Sequence, residues 1–226
     1  MIKIFLDPGH GGTDPGAAAN GIKEKDINLT LAKRIRDILA SEYDEVAVKM
    51  SRSDDSSVTL KQRTDDANAW GANYYLSIHV NSGGGDGFES FIYTTTDAKT
   101  QEIQRAVHSE ILKQIPGTDD RGMKKENFHV LRESHMRAIL TENLFIDNAA
   151  DATKLKDSIF LEKLARGHVN GLDQGLALKR KTTPSAAPTD GSLYKVQVGA
   201  FSDKTNADKL AEELRSKGYP VTIIKN

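Results

Sequence analysis

Tyr74-Tyr75-Leu76-Ser77-Ile78-His79-Val80 is a near-continuous apolar run. A strand with one wet face alternates apolar and polar residues, so this run reads as a strand buried on both faces and central in its sheet. On its N-terminal side lie a helix near Leu60–Trp70, an alternating strand carrying Val46, Val48 and Met50, and a helix with Ile27, Leu31, Ile35 and Ile38 on one stripe. The short apolar strand Ile2–Leu6 comes first. On the C-terminal side the flexible turn Ser82–Gly87 precedes a strand at Phe88–Tyr93 and a helix marked by Ile103, Val107, Ile111 and Ile115. Strands at Phe128–Leu131 and Ala138–Thr141 and a last helix over Ala152–Leu176 complete the pattern. Strands separated by helices imply an α/β domain over residues 1–178, a three-layer sandwich whose mostly parallel or mixed central sheet is covered on both sides.

The stretch Lys179–Ser192, KRKTTPSAAPTDGS, is polar, contains two prolines and has no periodicity, so it reads as a linker. Extended at ~3.1 Å per residue it would span about 40 Å. Residues 193–226 read as a small α+β half-module: a strand at Tyr194–Val198, a helix with Ala207, Leu210, Ala211 and Leu214 on one face and Gly218 at its end, and a strand at Val221–Ile224. A unit this short buries too little apolar surface to stand alone. It is expected to pair with a second copy, to dock on the first domain or to continue in a longer parent protein.

With 226 residues and 38% hydrophobic content the chain can build one good-sized core and something small beside it. Its 31 basic and 32 acidic residues leave a net charge of −1, which gives no reason to expect a nucleic-acid partner. The absence of cysteine excludes disulfides, thiolate metal sites and a cysteine nucleophile, so any metal must be held by histidine and carboxylate. No run approaches the ~20 apolar residues of a membrane span, and no membrane insertion is expected. The N-terminus MIKIFLDPGH lacks a basic region followed by a long apolar stretch. Synthesis in the cytoplasm without a signal peptide is therefore expected, with release by another agent if the protein acts outside the membrane.

Four residues carry the candidate chemistry. His10 lies in DPGHGG after the first strand, Glu24 opens a helix, His79 ends the central apolar run, and Glu142 follows Ala138–Thr141. Each stands where an element meets a loop, which is where a layered α/β enzyme keeps its reactive groups. Two neutral imidazoles and a carboxylate suit a catalytic Zn²⁺ with a fourth position open to water, and a further carboxylate could move protons. Taken singly, His10 reads equally as a capped turn histidine and Glu24 as an acid favouring a helix N-terminus. His79 and Glu142 are harder to set aside, because polar groups in apolar strands need partners. His108, His135 and His168 read as solvated, and His129 as flanking the site or facing the surface. Arg63, on the helix leading toward His79, reads either as holding a carboxylate in or beside the site or as a surface ion pair with Asp65 or Asp66. Spacing alone supports no more than a metal hydrolase of unknown substrate.

The motifs add to that reading. DPGHGG, Glu-Lys-Asp-Ile-Asn-Leu from Glu24, Leu-x-x-Arg-x-x-x-Ala-Asn from Leu60, SIHVN and TENLFIDN occur in this order. Together they resemble the zinc-dependent N-acetylmuramoyl-L-alanine amidases of the Amidase_3 type over residues 1–178. The resemblance implies one Zn²⁺ per chain on His10, Glu24 and His79, Glu142 as the catalytic glutamate, and Arg63 as a further catalytic residue. Implied too is hydrolysis, by zinc-activated water, of the amide joining the lactyl group of N-acetylmuramic acid to L-alanine, with peptidoglycan as partner. One departure is Leu144, where that family often has glycine. The tail from Tyr194-Lys-Val-Gln-Val-Gly-Ala-Phe resembles the first half of a sporulation-related (SPOR) repeat, which implies binding to the cell wall. Residues 179–226 carry nine basic and five acidic side chains, a mild attraction toward an anionic wall. Alternatives to the amidase are a zinc peptidase cutting stem-peptide bonds and a non-catalytic wall-binding protein. Action on the wall after release, in mother-cell lysis or phage-type lysis, completes the expectation.

Overall fold

The computed structural model describes residues 1–181, 197–216 and 221–224. The chain divides into two compact units, Met1–Lys181 and Thr182–Asn226.

In the first unit β1 (Ile2–Pro8) leads through a glycine-rich loop to the two-residue ladder of β2 (Ala18–Ala19) and β3 (Ile22–Lys23). Then come α1 (Glu24–Glu42), β4 (Tyr43–Asp44), β5 (Val46–Met50), α2 (Leu60–Trp70), β6 (Tyr74–Asn81), β7 (Phe88–Ile92) and α3 (Ala98–Gln114). The unit closes with β8 (Asp120–Lys125), α4 (His129–Arg132), β9 (Arg137–Phe145), α5 (Ala149–Lys156), α6 (Ser158–Leu176) and β10 (Lys179–Arg180). The main sheet has the order β5-β1-β6-β9-β7-β8. The first four strands run parallel, β7 is antiparallel to β9, and β8 is parallel to β7. β6 is central and buried, as its apolar run requires.

Two apolar clusters make this a three-layer sandwich. One face of the sheet gives Ile4, Leu6, Leu76 and Ile78 to a core shared with α1, α3 and α6, and the other gives Phe5, Tyr75, Ala138 and Leu140 to a smaller core under α2 and α4. The chain goes from β1 through α1 on one face to β5, then back through α2 on the other face to β6. The order thus reverses between β1 and β6, and the crevice outside the carboxyl ends of those strands is where open α/β sheets bind ligands.

The helix ends follow local chemistry. Thr59 and Gln62 form a reciprocal capping box at the start of α2, and Gly71 ends it in the left-handed conformation at φ +68°. α1 has no side-chain cap; its first amides donate instead to Ala17 O and Pro15 O, which ties Glu24 to the loop after β1.

Several expectations are corrected. Phe128–Leu131 is not a strand: its apolar residues form the short α4, with Val130 and Leu131 buried in the smaller core, and so brief a run has no readable period. The exposed edge strand β8 was not expected, because edge strands are polar. The last helix is two helices, broken at Asp157, which ends α5 and caps α6 through Ile159 N. Lys179 and Arg180, expected in the linker, instead form β10, which pairs with β4. In the second unit the expected apolar stripe lies on α7 (Lys204–Ser216), with Ala211 buried. Residues 197–200 and 221–224 form no strand among the described residues. Gly218 and residues 194–196 lie outside the described residues, as do 182–192 of the expected linker.

Candidate metal centre and active site

The glycines of the loop after β1 make room for its histidine. His10 takes φ +60°, a left-handed value that few residues other than glycine adopt, and Gly12 follows at +59°. A Cβ on Gly9 would lie 2.2 Å from the His79 ring, and one on Gly16 2.6 Å from the Glu24 carboxylate. Two arginines hold this strained loop from below. Arg52 donates to the carbonyls of Pro8, Gly9 and Lys25. Arg63 donates from Nη1 to Asp7 Oδ1 at 2.7 Å and to Pro8 O at 2.8 Å, from Nη2 to His10 O at 2.7 Å, and from Nε to Val58 O at 3.0 Å. Asp7 and Arg63 are both buried. Of the two readings left open for Arg63, the surface pair is not formed, since Asp65 pairs with Lys61 and Asp66 with Lys49; the carboxylate that Arg63 holds is the buried Asp7. As for the catalytic role, its guanidinium is taken up by Asp7 and by loop carbonyls.

His10, Glu24 and His79 converge. Their ligand atoms all lie within 4.8 Å of one another, the one such cluster of histidines and acids among the described residues. Glu24 lies between the imidazoles, with Oε2 3.2 Å from His10 Nε2 and Oε1 2.9 Å from His79 Nδ1. It also accepts from Ala17 N, Val80 N and Asn28 Nδ2, which fix its rotamer. Asp14 faces His10 Nδ1 at 2.8 Å, a carboxylate behind an imidazole of the kind that orients metal-ligating histidines.

The electrostatics follow from these contacts. The bond to Glu24 raises His10 to about 9, against an opposing contribution from burial. Burial alone would lower His79, but Glu24 and Glu142 outweigh it and the net shift is upward. Burial would raise Glu24, yet the two imidazoles hold it well below the usual carboxylate range.

Glu142 stands beside this cluster on the neighbouring strand, in register with His79. Burial raises its carboxyl to about 7, and Oε2 is buried without a hydrogen-bond partner. The next residues form a bulge, because His79 pairs with Glu142 but Asn81 with Phe145. Ile139 faces the larger core before it and Leu144 and Ile146 after it, so the bulge reverses the facing of β9. Leu144 sits in the bulge at φ +71° with a fully buried side chain. A left-handed residue is where glycine costs least, so leucine here is the more strained choice. In this chain the departure fills core and leaves Glu142 in register.

The other histidines lie elsewhere. His129 packs against Thr64 of α2, and His135 is exposed in a loop. His108 and His168 are buried rather than solvated: His108 bridges Ser90 and Asp120, and His168 bridges Thr141 and the Leu164 carbonyl. Each partners both ring nitrogens inside the fold, which helical position alone does not reveal. Sequence reasoning also missed Asp7, Arg52, Asn28 and Glu89. Glu89 lies in the apolar strand Phe88–Ile92, the same signal that singled out Glu142.

The chain matches known proteins in sequence and in fold. The profile of the N-acetylmuramoyl-L-alanine amidase family matches residues 4–174, and that of the SPOR domain matches 190–226. A sporulation-specific N-acetylmuramoyl-L-alanine amidase of Bacillus subtilis (strain 168) is 53% identical over 224 residues, 99% of this chain and 85% of the relative. An endolysin of Bacillus phage SPP1 is 47% identical over 205 residues, 86% of this chain and 75% of the relative. Among solved structures, the catalytic domain of CwlV, an N-acetylmuramoyl-L-alanine amidase from Bacillus (Paenibacillus) polymyxa var. colistinus, superposes with a TM-score of 0.74 at 33% identity, covering 79% of this chain and 100% of that one. Motif order, sheet topology and these matches together show that the chain belongs to the N-acetylmuramoyl-L-alanine amidase family.

Proposed function

We propose that this peptidoglycan amidase holds one Zn²⁺ per chain on His10, Glu24 and His79, that Glu142 is its general base and acid, and that Arg63 positions the His10 loop. The observation that carries the proposal is a buried Glu24 carboxylate set between two imidazoles, beside a carboxylate oxygen with no partner. Two histidines and a glutamate are a donor set that zinc takes in hydrolases, and cysteine is absent from the chain. When bound, the ion supplies Lewis acidity, which lowers the pKa of water toward about 7 and polarises a carbonyl.

The chain's own residues do the rest. Glu142, with a pKa near 7, can take a proton from water and return it to the departing L-alanine nitrogen. Asp14 fixes the orientation of the His10 imidazole from behind, so little reorganisation accompanies the reaction. Arg63 spends its donors on Asp7 and on three carbonyls, which supports positioning rather than contact with substrate. Glu142→Gln is expected to keep stoichiometric zinc and lose ~10²–10⁴ in kcat. His79→Ala is expected to lose tight zinc binding. Wild-type turnover by Glu142→Gln overturns the assignment of the base, and new L-alanine amino termini in the products identify the bond cut.

The tail serves retention on the wall. Its SPOR match and its excess of basic over acidic residues favour a second, weaker contact that raises the local substrate concentration for the amidase unit. The names of the sporulation and phage relatives favour action in lysis from within, on a wall reached after release. Among the described residues no helix is long and apolar enough to cross a membrane. Removing residues 182–226 is expected to leave cleavage of small soluble muropeptides intact and to weaken sedimentation with insoluble wall; equal co-sedimentation removes that role.

A further inference from the structure

The row of site residues does not end at Glu142. His79, Glu142 and Glu89 are register partners on β6, β9 and β7, so their side chains line up across the carboxyl end of the parallel strands. Glu89 is buried, and two cations from the edge strand β8 converge on its Oε2: Arg121 Nε at 3.0 Å and Lys124 Nζ. Its Oε1 is already taken by Asn81 Nδ2 at 2.7 Å. One carboxylate thus meets two positive charges, leaving a surplus of one.

Both cations are held and partly open. The Arg121 guanidinium lies 4.8 Å from the Phe145 ring and the Lys124 ammonium 5.8 Å from that of Phe91, so aromatic surfaces limit their freedom. Their side chains remain 33% and 41% exposed. Beyond Glu89, Arg121 has only a long 3.4 Å contact to Asp86 O, which leaves guanidinium donors for a ligand. Gly85 lets the loop after β6 pass close to Phe145 and Arg121, since a Cβ there would sit 2.6 Å from Phe145 and 3.2 Å from Arg121 Nη1 and would crowd the guanidinium.

We propose that Arg121 and Lys124 form a subsite for a carboxylate of the stem peptide, and that they fix the peptide side of the substrate toward the β8 edge. This rests on the reading of Glu142 as the base at the scissile amide. In the substrate the muramoyl carboxyl is consumed in that amide, so free carboxylates lie only on the peptide side. β8 is two strands from β9, about 10 Å at ~4.8 Å per strand. An extended peptide advances ~3.3–3.6 Å per residue, so the carboxylate recognised sits two or three residues beyond the scissile bond. Charge-assisted bonds from an arginine fork and an ammonium suit that group.

The test uses the full-length zinc enzyme and two synthetic muramoyl peptides that differ only in a carboxylate or carboxamide at that residue. The wild type is expected to show a KM about tenfold lower for the carboxylate, the discrimination typical of a hydrogen bond to a charged group. That preference should shrink as salt rises, with no change for the carboxamide. Arg121→Gln and Lys124→Met should each bring the KM ratio between carboxylate and carboxamide toward one. A wild-type ratio of one, or an undiminished ratio in both variants, overturns the proposal. The salt arm needs no variant to fold. Glu142→Gln should lower kcat ~10²–10⁴-fold whatever the ratio does, so failure of the subsite and failure of the base assignment give different results.

Discussion

Replacing Arg63 with methionine keeps an unbranched chain in the same space and removes the guanidinium under the His10 loop. The cost can be worked from its neighbours. Asp7 is fully buried and Arg63 is 3% exposed, and their 2.7 Å contact is what keeps Asp7 ionised: burial would raise that carboxyl, but Arg63 brings it below its ordinary value. Breaking such a pair from one side costs ~3–5 kcal/mol, a large part of the ~5–15 kcal/mol that holds a domain together. Asp7→Asn in the same chain removes the orphaned charge, so the double variant should be more stable than the sum of the two single losses. Trp70, the chain's one tryptophan, ends the helix that carries Arg63 and gives a fluorescence signal for urea unfolding. Because Arg63 also holds His10 O, the variant should bind zinc more weakly even where it is folded. A loss below about 1 kcal/mol, or strict additivity with Asp7→Asn, refutes the view of Arg63 as the buried anchor of the metal loop.

Acid stability should bear the mark of His168. Burial lowers its pKa from 6.5 to about 4, so the unfolded chain binds a proton there that the native fold does not. The stability involved is complete above 6.5 and is lost as pH falls toward 4, up to about 3 kcal/mol at 1.36 kcal/mol per unit. NMR titration of the ring reads this directly, and an inflection near 6.5 contradicts it. Gly9→Ala should push the His79 ring out of place and weaken zinc binding about tenfold with the fold intact, as chelator competition would show; unchanged affinity argues against the close packing. In chelator-stripped protein His10 stays protonated up to about 9, so zinc uptake near neutrality should release protons and tighten as pH rises. Calorimetry in buffers of different ionisation heat measures that release, and identical heats exclude it.

Much of the candidate site was legible because its signals are local. A histidine at the end of Tyr74–Val80 and a glutamate after Ala138–Thr141 are polar groups in apolar strands, and they stand out without any knowledge of neighbours. The α/β pattern was equally legible, since helical and strand periods repeat over a few residues. Where a run was too short to show a period, as in α4, or too polar to resemble a strand, as in β8, the reading failed.

What the sequence determined by itself is therefore the class of fold, the order of its elements and the chemical types poised at their ends. Tertiary structure alone decided who meets whom. Arg63 finds Asp7 across 56 residues, Glu24 joins one imidazole from the loop after β1 to another from β6, and Glu89 gathers its cations from the sheet edge. The physical reason is range: periodicity and turn chemistry act over a few neighbouring residues, whereas strand order, register and the bulge at Leu144 come from packing the whole sheet between two layers of helices.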